Sequence, residues 1–317
     1  MTANHIAHKA DATVVELRLD GLSRLYNSLD PSPFQEKDLD AAERRADFDV
    51  RVAELGLPKL QLTPLDPLSQ PAVRAQIAAG RLQLVPGRAV VHDDPPDKVG
   101  SPVVLNQPSA AMRGKLEVIG SAREEVFIVN PYLLPGELGL SMMQRAQGAG
   151  TRVVIITNSL GSTDEPLVHR AYSRFRIDML KAGVQLYEFA PELVRRAGNF
   201  GNWGESTPRL HAKAAAVDRR YLIVGSVNLD ARSALLNTEL GVTIDSPLLA
   251  EQALGLLRAD AFRSMYRVQL AADGRSLEWH ARGEAGAAEV LREEPHASLW
   301  TDLSLWLQSL FIAEESL

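Results

Sequence analysis

The sequence contains no cysteine among its 317 residues. This absence excludes disulfide bonds, a thiol nucleophile and every zinc site that depends on thiolate ligands. It is compatible with a reducing compartment, but it does not by itself identify one.

The sequence also lacks an excess of positive charge and a long apolar segment. Its formal net charge is -6, whereas proteins that bind polynucleotides usually carry a basic excess. We therefore expect no nucleic-acid partner.

No apolar run reaches the length of about 18 residues that spans a bilayer. The N-terminus does not have the basic-then-apolar order of a secretory signal, so the expected location is the cytoplasm.

From Arg88 onward, apolar strands alternate with helices. Buried strands are predicted in EEVFIVNPYLLPG, TRVVIITNSLG and VQLYEFAP, and amphipathic segments lie between them. Such alternation is typical of βαβ units. The sequence therefore predicts an α/β fold with a mostly parallel mixed sheet and helices on both faces.

Composition divides the chain into three parts. We predict a helical extension over residues 1–85, the α/β domain over residues 86–285 and an amphipathic tail over residues 286–317. The tail segment SLWTDLSLWLQSLF combines tryptophans and leucines on a wide apolar face, as membrane-interface helices do. Its polar face offers Asp302 and Gln308 instead of Lys or Arg, so packing against the domain is an equal alternative.

One stretch, RLHAKAAAVDRRYLIVGSVN, differs from ordinary buried strands. Two apolar strands with a short turn between them predict a hairpin. Strand alternation would place His211 and Lys213 on one face, with Ser226 and Asn228 beside them on the returning strand. Imidazole, ammonium, hydroxyl and carboxamide groups together can hold an anionic phosphate oxygen, with a nucleophile or proton donor at its edge.

Taken singly, these residues have ordinary structural explanations. A histidine in a strand is usually a hydrogen-bonded core residue, and a lysine at a strand end usually extends its ammonium group to water. The joint spacing H-x-K-x4-D-x6-G-S-x-N is filled by His211, Lys213, Asp218, Gly225, Ser226 and Asn228. This joint pattern is improbable by chance and favours a functional site. Asp218 lies in the predicted turn, where it can instead shape the hairpin.

Polar residues at or after the strand ends are further candidates, because parallel sheets present ligand-facing groups there. These residues are Tyr132, Asn158, Asp164, His169 and Tyr172. For Tyr132, packing is favoured over ligand contact. For His169, a solvated helix face is an equal alternative.

The motif resembles the HKD signature of the phospholipase D superfamily. The surrounding sequence resembles the C-terminal half of bacterial cardiolipin synthases of the C type, in VNPYLLPG, TNSLGSTDEPLVHRAYSRFRIDMLKAGVQLYE, GSVNLDARSALLNTELG and LWTDLSLWLQSLFIAEESL. The resemblance covers most of the chain after about residue 85, and LDGLSRLYNSLDPSPF resembles the linker between the two lobes of that group. Ala171 and Ala231 depart from the glycine and proline that are usual there.

The resemblance implies a two-histidine mechanism. In this superfamily two motif copies face each other across one phosphate, so that one histidine forms a phosphohistidine and the other protonates the leaving alcohol, with no metal or other cofactor. The implied site residues are catalytic His211, Lys213 and Asp218, phosphate-binding Lys213, Ser226 and Asn228, and a supporting Glu239 that orients a histidine.

The sequence holds only one such motif, because no other histidine has a lysine two places on with the remaining pattern. Three hypotheses stay open: a homodimer that builds the site from two identical lobes, a separate chain that supplies the first motif, or an inactive truncated lobe. The implied function is phosphatidyl transfer of the cardiolipin synthase type, acting on a phospholipid with peripheral contact at the inner membrane. The alternatives are a homodimeric phosphodiesterase or nuclease and a non-catalytic phosphate-binding lobe.

Overall fold

The structure is a computed structural model, and its chain divides into two compact units, residues 1–84 and 85–317. It describes residues 6–7, 16–17, 46, 50, 73–80, 84–98, 107–197, 207–258, 261–282 and 288–297.

The described residues of the first unit form short strands as well as helix. Strands β1 (Ile6–Ala7) and β2 (Glu16–Leu17) pair antiparallel, and helix α1 spans Val73–Ala78. Ala46 and Val50 are helical, as the prediction of a helical extension requires. The two strands are not predicted by the sequence, because two residues are too few to show a period-two pattern. Most of the remaining residues of the predicted helical extension lie outside the described ones.

A ten-stranded sheet forms the centre of the second unit. Its strands are β3 (Arg88–Asp93), β4 (Glu125–Val129), β5 (Arg152–Asn158), β6 (Gln185–Phe189), β7 (Ala214–Val217), β8 (Tyr221–Gly225), β9 (Leu240–Asp245), β10 (Met265–Leu270), β11 (Leu277–Arg282) and β12 (Ala288–Leu291). Their order across the sheet is β12-β11-β10-β6-β5-β4-β7-β8-β9-β3.

The α/β class with a mixed sheet is confirmed, but the prediction that the sheet is mostly parallel is wrong. Only the β4–β5 and β5–β6 pairs are parallel, and the other seven described pairs of this sheet are antiparallel. Helical crossovers join β4 to β5 and β5 to β6, as the alternation predicts. Short connections join β7 to β8 and β10 to β11, and such connections can link only antiparallel neighbours.

Helices cover both faces of this sheet. They are α2 (Ala110–Gly120), α3 (Gly136–Gly148), α4 (Pro166–Ser173), α5 (Arg176–Lys181), α6 (Pro191–Ala197), α7 (Ala231–Leu235) and α8 (Pro247–Arg258). Val126 and Ile128 pack on one face in a cluster with Met143 of α3, whereas Phe127 packs on the other face with Leu254 of α8. In the part of the chain that the structure describes, no helix is long and apolar enough to cross a bilayer.

The predicted hairpin is present as β7 and β8, with Asp218 at its turn. Asp218 and Arg219 adopt positive φ angles of 50° and 53°. The Asp218 carboxylate accepts hydrogen bonds from the backbone N–H groups of Arg123, Glu124 and Glu125 at 2.9–3.2 Å. Asp218 therefore fastens the turn to the start of β4.

The sheet continues past residue 285, which is the predicted end of the α/β domain. Strand β12 pairs with β11. The amphipathic helix predicted within residues 286–317 lies outside the described residues, which end at residue 297.

Strands β8 and β9 approach closely at Gly225. A Cβ atom there would lie 2.2 Å from the carbonyl oxygen of Leu240 and 2.8 Å from the Cα of Gly241. Neither backbone atom can rotate away. We therefore expect Gly225→Ala to force the strands apart and to lower the free energy of unfolding by about 1–3 kcal/mol, as measured by urea denaturation.

Gly255→Ala is the matched control for this substitution. Gly255 lies exposed in α8, and no atom lies within 4 Å of an added Cβ. Because alanine favours the helix, we expect this variant to gain about 0.5–1 kcal/mol. A Gly225→Ala protein as stable as the wild type would contradict the close approach of the two strands.

Candidate functional site

His211 and Lys213 lie in the segment that leads into β7, not within a strand as the sequence predicts. The Nζ of Lys213 lies 3.4 Å from the Nε2 of His211 and donates to the His211 carbonyl oxygen at 3.2 Å. The next residue, Ala214, pairs with Val129 at the end of β4 and with Val224 near the end of β8. The two side chains therefore stand at the edge of the sheet where β4 and β8 end.

Tyr132 borders this pair. Its ring centroid lies 6.1 Å from that of His211, with the ring planes at 77°, and 5.6 Å from the Nζ of Lys213. Its hydroxyl donates to Asp164 at 2.8 Å. Burial and then this hydrogen bond raise the pKa of Tyr132, so the hydroxyl stays protonated. The Tyr132 ring therefore packs beside His211 and Lys213 at the candidate site.

Ser226 follows β8 and is held by Glu239. The Ser226 hydroxyl donates a hydrogen bond to the Glu239 carboxylate and accepts the backbone N–H of Leu240 at 3.0 Å. The second oxygen of Glu239 accepts from the hydroxyl of Ser233 at 2.8 Å. His211 is not among the hydrogen-bond partners that the structure gives for Glu239 within the described residues. In this lobe Glu239 fixes Ser226.

Asn228 is 7% exposed and lies beyond the end of β8. Its backbone N–H donates to the Ser233 hydroxyl at 3.3 Å. Its side-chain Oδ1 is buried and has no hydrogen-bond partner within the described residues. Burying such a group unpaired costs about 1–3 kcal/mol. A half-turn of the carboxamide would place its NH₂ group where the Oδ1 now lies.

Lys115 lies beneath the site and was not identified from the sequence. This residue of α2 is 3% exposed, and its Nζ donates to the carbonyl oxygen of Val227 at 2.7 Å. Burial, followed by the nearby charge of Lys213, lowers the pKa of Lys115 to about 8, against the opposing effect of Glu239 and Asp230. A buried lysine thus supports the backbone just before Asn228.

Carboxylates partly balance these two lysines. Burial lowers the pKa of Lys213, and Glu239, Asp230 and Asp164 oppose that shift in this order. Burial also raises the pKa of Asp230 to about 6, although the hydrogen bonds that it accepts from Ser233 act against the shift. Ammonium groups that are poorly hydrated bind an anion more strongly than exposed ones do.

The structure therefore collects most of the candidate residues at one edge of the sheet. These are His211, Lys213, Ser226, Asn228, Glu239, Tyr132 and Asp164. Asp218 does not join them, because it lies at the opposite end of β7 from Lys213. Asn158 lies behind the site, where it is 1% exposed.

His169 and Tyr172 belong to a buried ionic network instead. His169 lies 2.7 Å from a carboxylate oxygen of Glu294, and Tyr172 donates to Glu188 at 2.7 Å. Arg176 is 2% exposed and bridges both carboxylates, at 2.8 Å to Glu188 and 2.6 Å to Glu294. Although burial raises the pKa of Glu294, the hydrogen bonds from His169 and Arg176 hold it at about 2. This network ties α4, α5 and β6 to the segment after β12.

No group of three or more histidine, aspartate or glutamate side chains that could hold a metal ion occurs within the residues that the structure describes.

Comparison with known proteins identifies relatives of this domain. Residues 116–260 match a family model described as "Cardiolipin synthase, PLD-like domain". The chain is 33% identical over 203 residues to cardiolipin synthase C of Escherichia coli, a match that covers 62% of this chain and 42% of that protein. It is 30% identical over 150 residues to cardiolipin synthase A of Pseudomonas aeruginosa (strain LESB58), covering 47% of this chain and 27% of that protein.

These matches confirm the resemblance drawn from the motif. The chain spans less than half the length of these curated relatives. Among solved structures, the phospholipase D family member Nuc of Salmonella typhimurium aligns with a TM-score of 0.41 and 19% identity, over 58% of this chain and 99% of that one.

The pKa of Lys115 predicts how stability depends on pH. Lys115 has a pKa of about 8 in the folded chain and 10.5 without the fold, so between these values the unfolded chain binds more protons. Stability therefore rises with pH in this interval, by at most about 1.4 kcal/mol per pH unit. We expect the wild type to gain stability relative to Lys115→Met between pH 8 and 10, as measured by urea unfolding.

Lys181→Met is the control for removing a lysine, because Lys181 is exposed on α5. Its stability difference from the wild type should stay nearly constant over the same interval. If Lys115→Met behaved in the same way as this control, Lys115 would not be buried in the folded chain.

Proposed function

From the phospholipase D-like domain at residues 116–260, we propose that this chain carries half of the active site of a phospholipase D-type enzyme. The proposed reaction is phosphatidyl transfer of the cardiolipin synthase kind, through a phosphohistidine. The observation that carries the proposal is the exposed imidazole of His211 beside the half-buried ammonium of Lys213, at the edge where the buried carboxamide of Asn228 lies.

The proposed chemistry uses two histidines as a matched pair. A ring nitrogen of one histidine attacks phosphorus, the P–O bond to the leaving alcohol breaks, and the second histidine gives that oxygen its proton. An acceptor alcohol then attacks phosphorus, passes its proton to the second histidine and breaks the P–N bond. The proton returns where it began, so the cycle balances with no further cofactor. With water as the acceptor, the same steps hydrolyse a phosphodiester.

Within this lobe, the other side chains would stabilise the phosphate. Lys213 and Asn228 would hold non-bridging oxygens, and Ser226, fixed by Glu239, would line the same site. Donors held in place before the reaction stabilise the charge that develops in the transition state without reorganising. Lys115 would add positive charge from below.

The second histidine must come from outside this lobe, because the sequence holds one motif. We propose that a second copy of this chain, or a separate chain with its own motif, faces His211 across the phosphate. In a homodimer His211 would attack in one subunit and protonate in the other.

A phospholipid substrate would require peripheral contact with a membrane. The net charge of -6 disfavours a polynucleotide substrate.

The test combines the mass of the purified chain in solution with an assay on phospholipid vesicles in the presence of a chelator. For an active dimer we expect His211→Ala to lower the rate of phosphatidyl transfer or hydrolysis by about 10²–10⁴-fold. His280→Ala is the control, because His280 lies on β11, where its ring faces Glu278.

Each outcome has a distinct meaning. An active dimer that is inactivated by His211→Ala supports a site completed by symmetry. An inactive monomer supports a half-site that lacks its second motif. Activity that survives His211→Ala unchanged overturns the proposal.

A further inference from the structure

Two neighbouring parallel strands each place an asparagine at the edge of the sheet below the candidate site. Asn158 is the last residue of β5, and Asn130 follows the last residue of β4. They are 1% and 0% exposed. Buried carboxamides at such positions need hydrogen-bond partners, and both find them on the backbone of the motif.

Asn158 pairs with the backbone of Leu210, the residue just before His211. Its Nδ2 donates to the Leu210 carbonyl oxygen at 3.0 Å, and its Oδ1 accepts the Leu210 N–H at 3.0 Å. This pair of hydrogen bonds fixes the orientation of the Asn158 carboxamide. In the flipped amide, the NH₂ group would face the Leu210 N–H and the Oδ1 would face the Leu210 carbonyl oxygen. The Ser162 hydroxyl lies 3.0 Å from the same Oδ1.

Asn130 contacts the backbone on both sides of Asn228. Its Oδ1 accepts the N–H of Leu229 at 3.1 Å, and its Nδ2 lies 3.4 Å from the carbonyl oxygen of Val227. The backbone N–H of Asn130 donates to Ile156 in β5 at 2.9 Å. The two asparagines are therefore carried by strands that are hydrogen-bonded to each other.

The motif segments have little regular structure of their own at these points. Residues 207–213 precede β7, and residues 227 and 228 follow the last hydrogen bond between the two strand segments of β8 and β9, which the Ser226 N–H donates to the Leu240 carbonyl oxygen at 2.8 Å. Both backbone groups of Leu210 and the N–H of Leu229 find their partners on the two asparagines, whereas the Leu229 carbonyl oxygen accepts the Leu134 N–H at 2.7 Å. Through these contacts, the spacing of β4 and β5 sets the spacing of the two motif halves.

We propose that Asn158 and Asn130 are positioning residues that hold His211 and Asn228 in register over one phosphate group. The catalytic meaning of this role rests on the proposed function. The placement of His211 is a property of the folded chain and can be measured without turnover.

The test is Asn158→Asp in the full chain, with ¹³C-labelled histidine and the His211 ring resonance assigned through His211→Ala. An ionised carboxylate would still accept the Leu210 N–H, but its other oxygen would repel the Leu210 carbonyl. We expect the His211 resonance, which senses the Tyr132 ring, to differ from the wild type at pH 8. Protonation restores a donor, so this difference should shrink at pH 5.

Thr157→Val is the matched control. Thr157 is 2% exposed in the same strand, and its hydroxyl lies 3.4 Å from the carbonyl oxygen of Pro131, with no hydrogen bond to the motif. We expect the His211 resonance to stay at its wild-type position in this variant.

Where the wild type is active, Asn158→Asp should lower kcat by about 10²-fold and leave KM nearly unchanged.

The outcomes separate this inference from the proposed function. A His211 resonance that moves in Asn158→Asp supports the positioning role, even if no assembly of the wild type shows activity. A resonance that matches the wild type at both pH values overturns it. If Asn158→Asp does not fold, Ser162→Ala removes the hydroxyl that faces Asn158, and an unmoved His211 resonance in that variant overturns the inference equally.

Discussion

The antiparallel insertion of β7 between β4 and β8 is the constraint on which the candidate site depends. Ala214 faces Val129 on one side and Val224 on the other. This register brings the start of β7 to the edge where β4 and β8 end. The segment with His211, the segment with Asn228 and the residues after β4 therefore meet at one place, although Asn130 and Val227 are 97 residues apart in the sequence.

At the candidate site, nearby carboxylates balance only part of the positive charge of two poorly hydrated lysines. Lys115 and Lys213 both lose hydration, and their pKa values fall for that reason first. Glu239 and Asp230 offset part of this cost, and Glu239 is engaged by two serine hydroxyls. A phosphate group would complete the balance by adding negative charge next to the ammonium groups. The same arrangement leaves His211 exposed, as the proposed contact with a second lobe would require.

Much of this architecture can be predicted from the sequence. The apolar runs that end at Val129 and Asn158 identify the parallel strands, and the spacing from His211 to Asn228 identifies the motif. Asp218 shows the limit of such spacing, because a fixed offset does not tell a catalytic residue from one that fastens a turn. Apart from the β7–β8 hairpin, the antiparallel pairing at both sides of the sheet could not be predicted, because strand order depends on tertiary pairing.

The supporting residues were harder to find because each looks ordinary in the sequence. Lys115 lies three and four places after the buried Met112 and Ala111, so a lysine on the apolar face of α2 is its only signal. Asn130 resembles any residue before a proline turn. His169 and Tyr172 have the spacing of one helix face, but the sequence cannot tell that this face meets Arg176 and Glu294.

The most direct test of this account is a crystal structure of the chain with inorganic vanadate, which adopts the geometry of a phosphate under attack. The account predicts vanadium bonded to a ring nitrogen of His211, with vanadate oxygens within hydrogen-bond distance of the Lys213 Nζ and the Asn228 carboxamide. Vanadate bound elsewhere on the chain, with His211 free of it, would contradict the claim that these residues form a phosphate site.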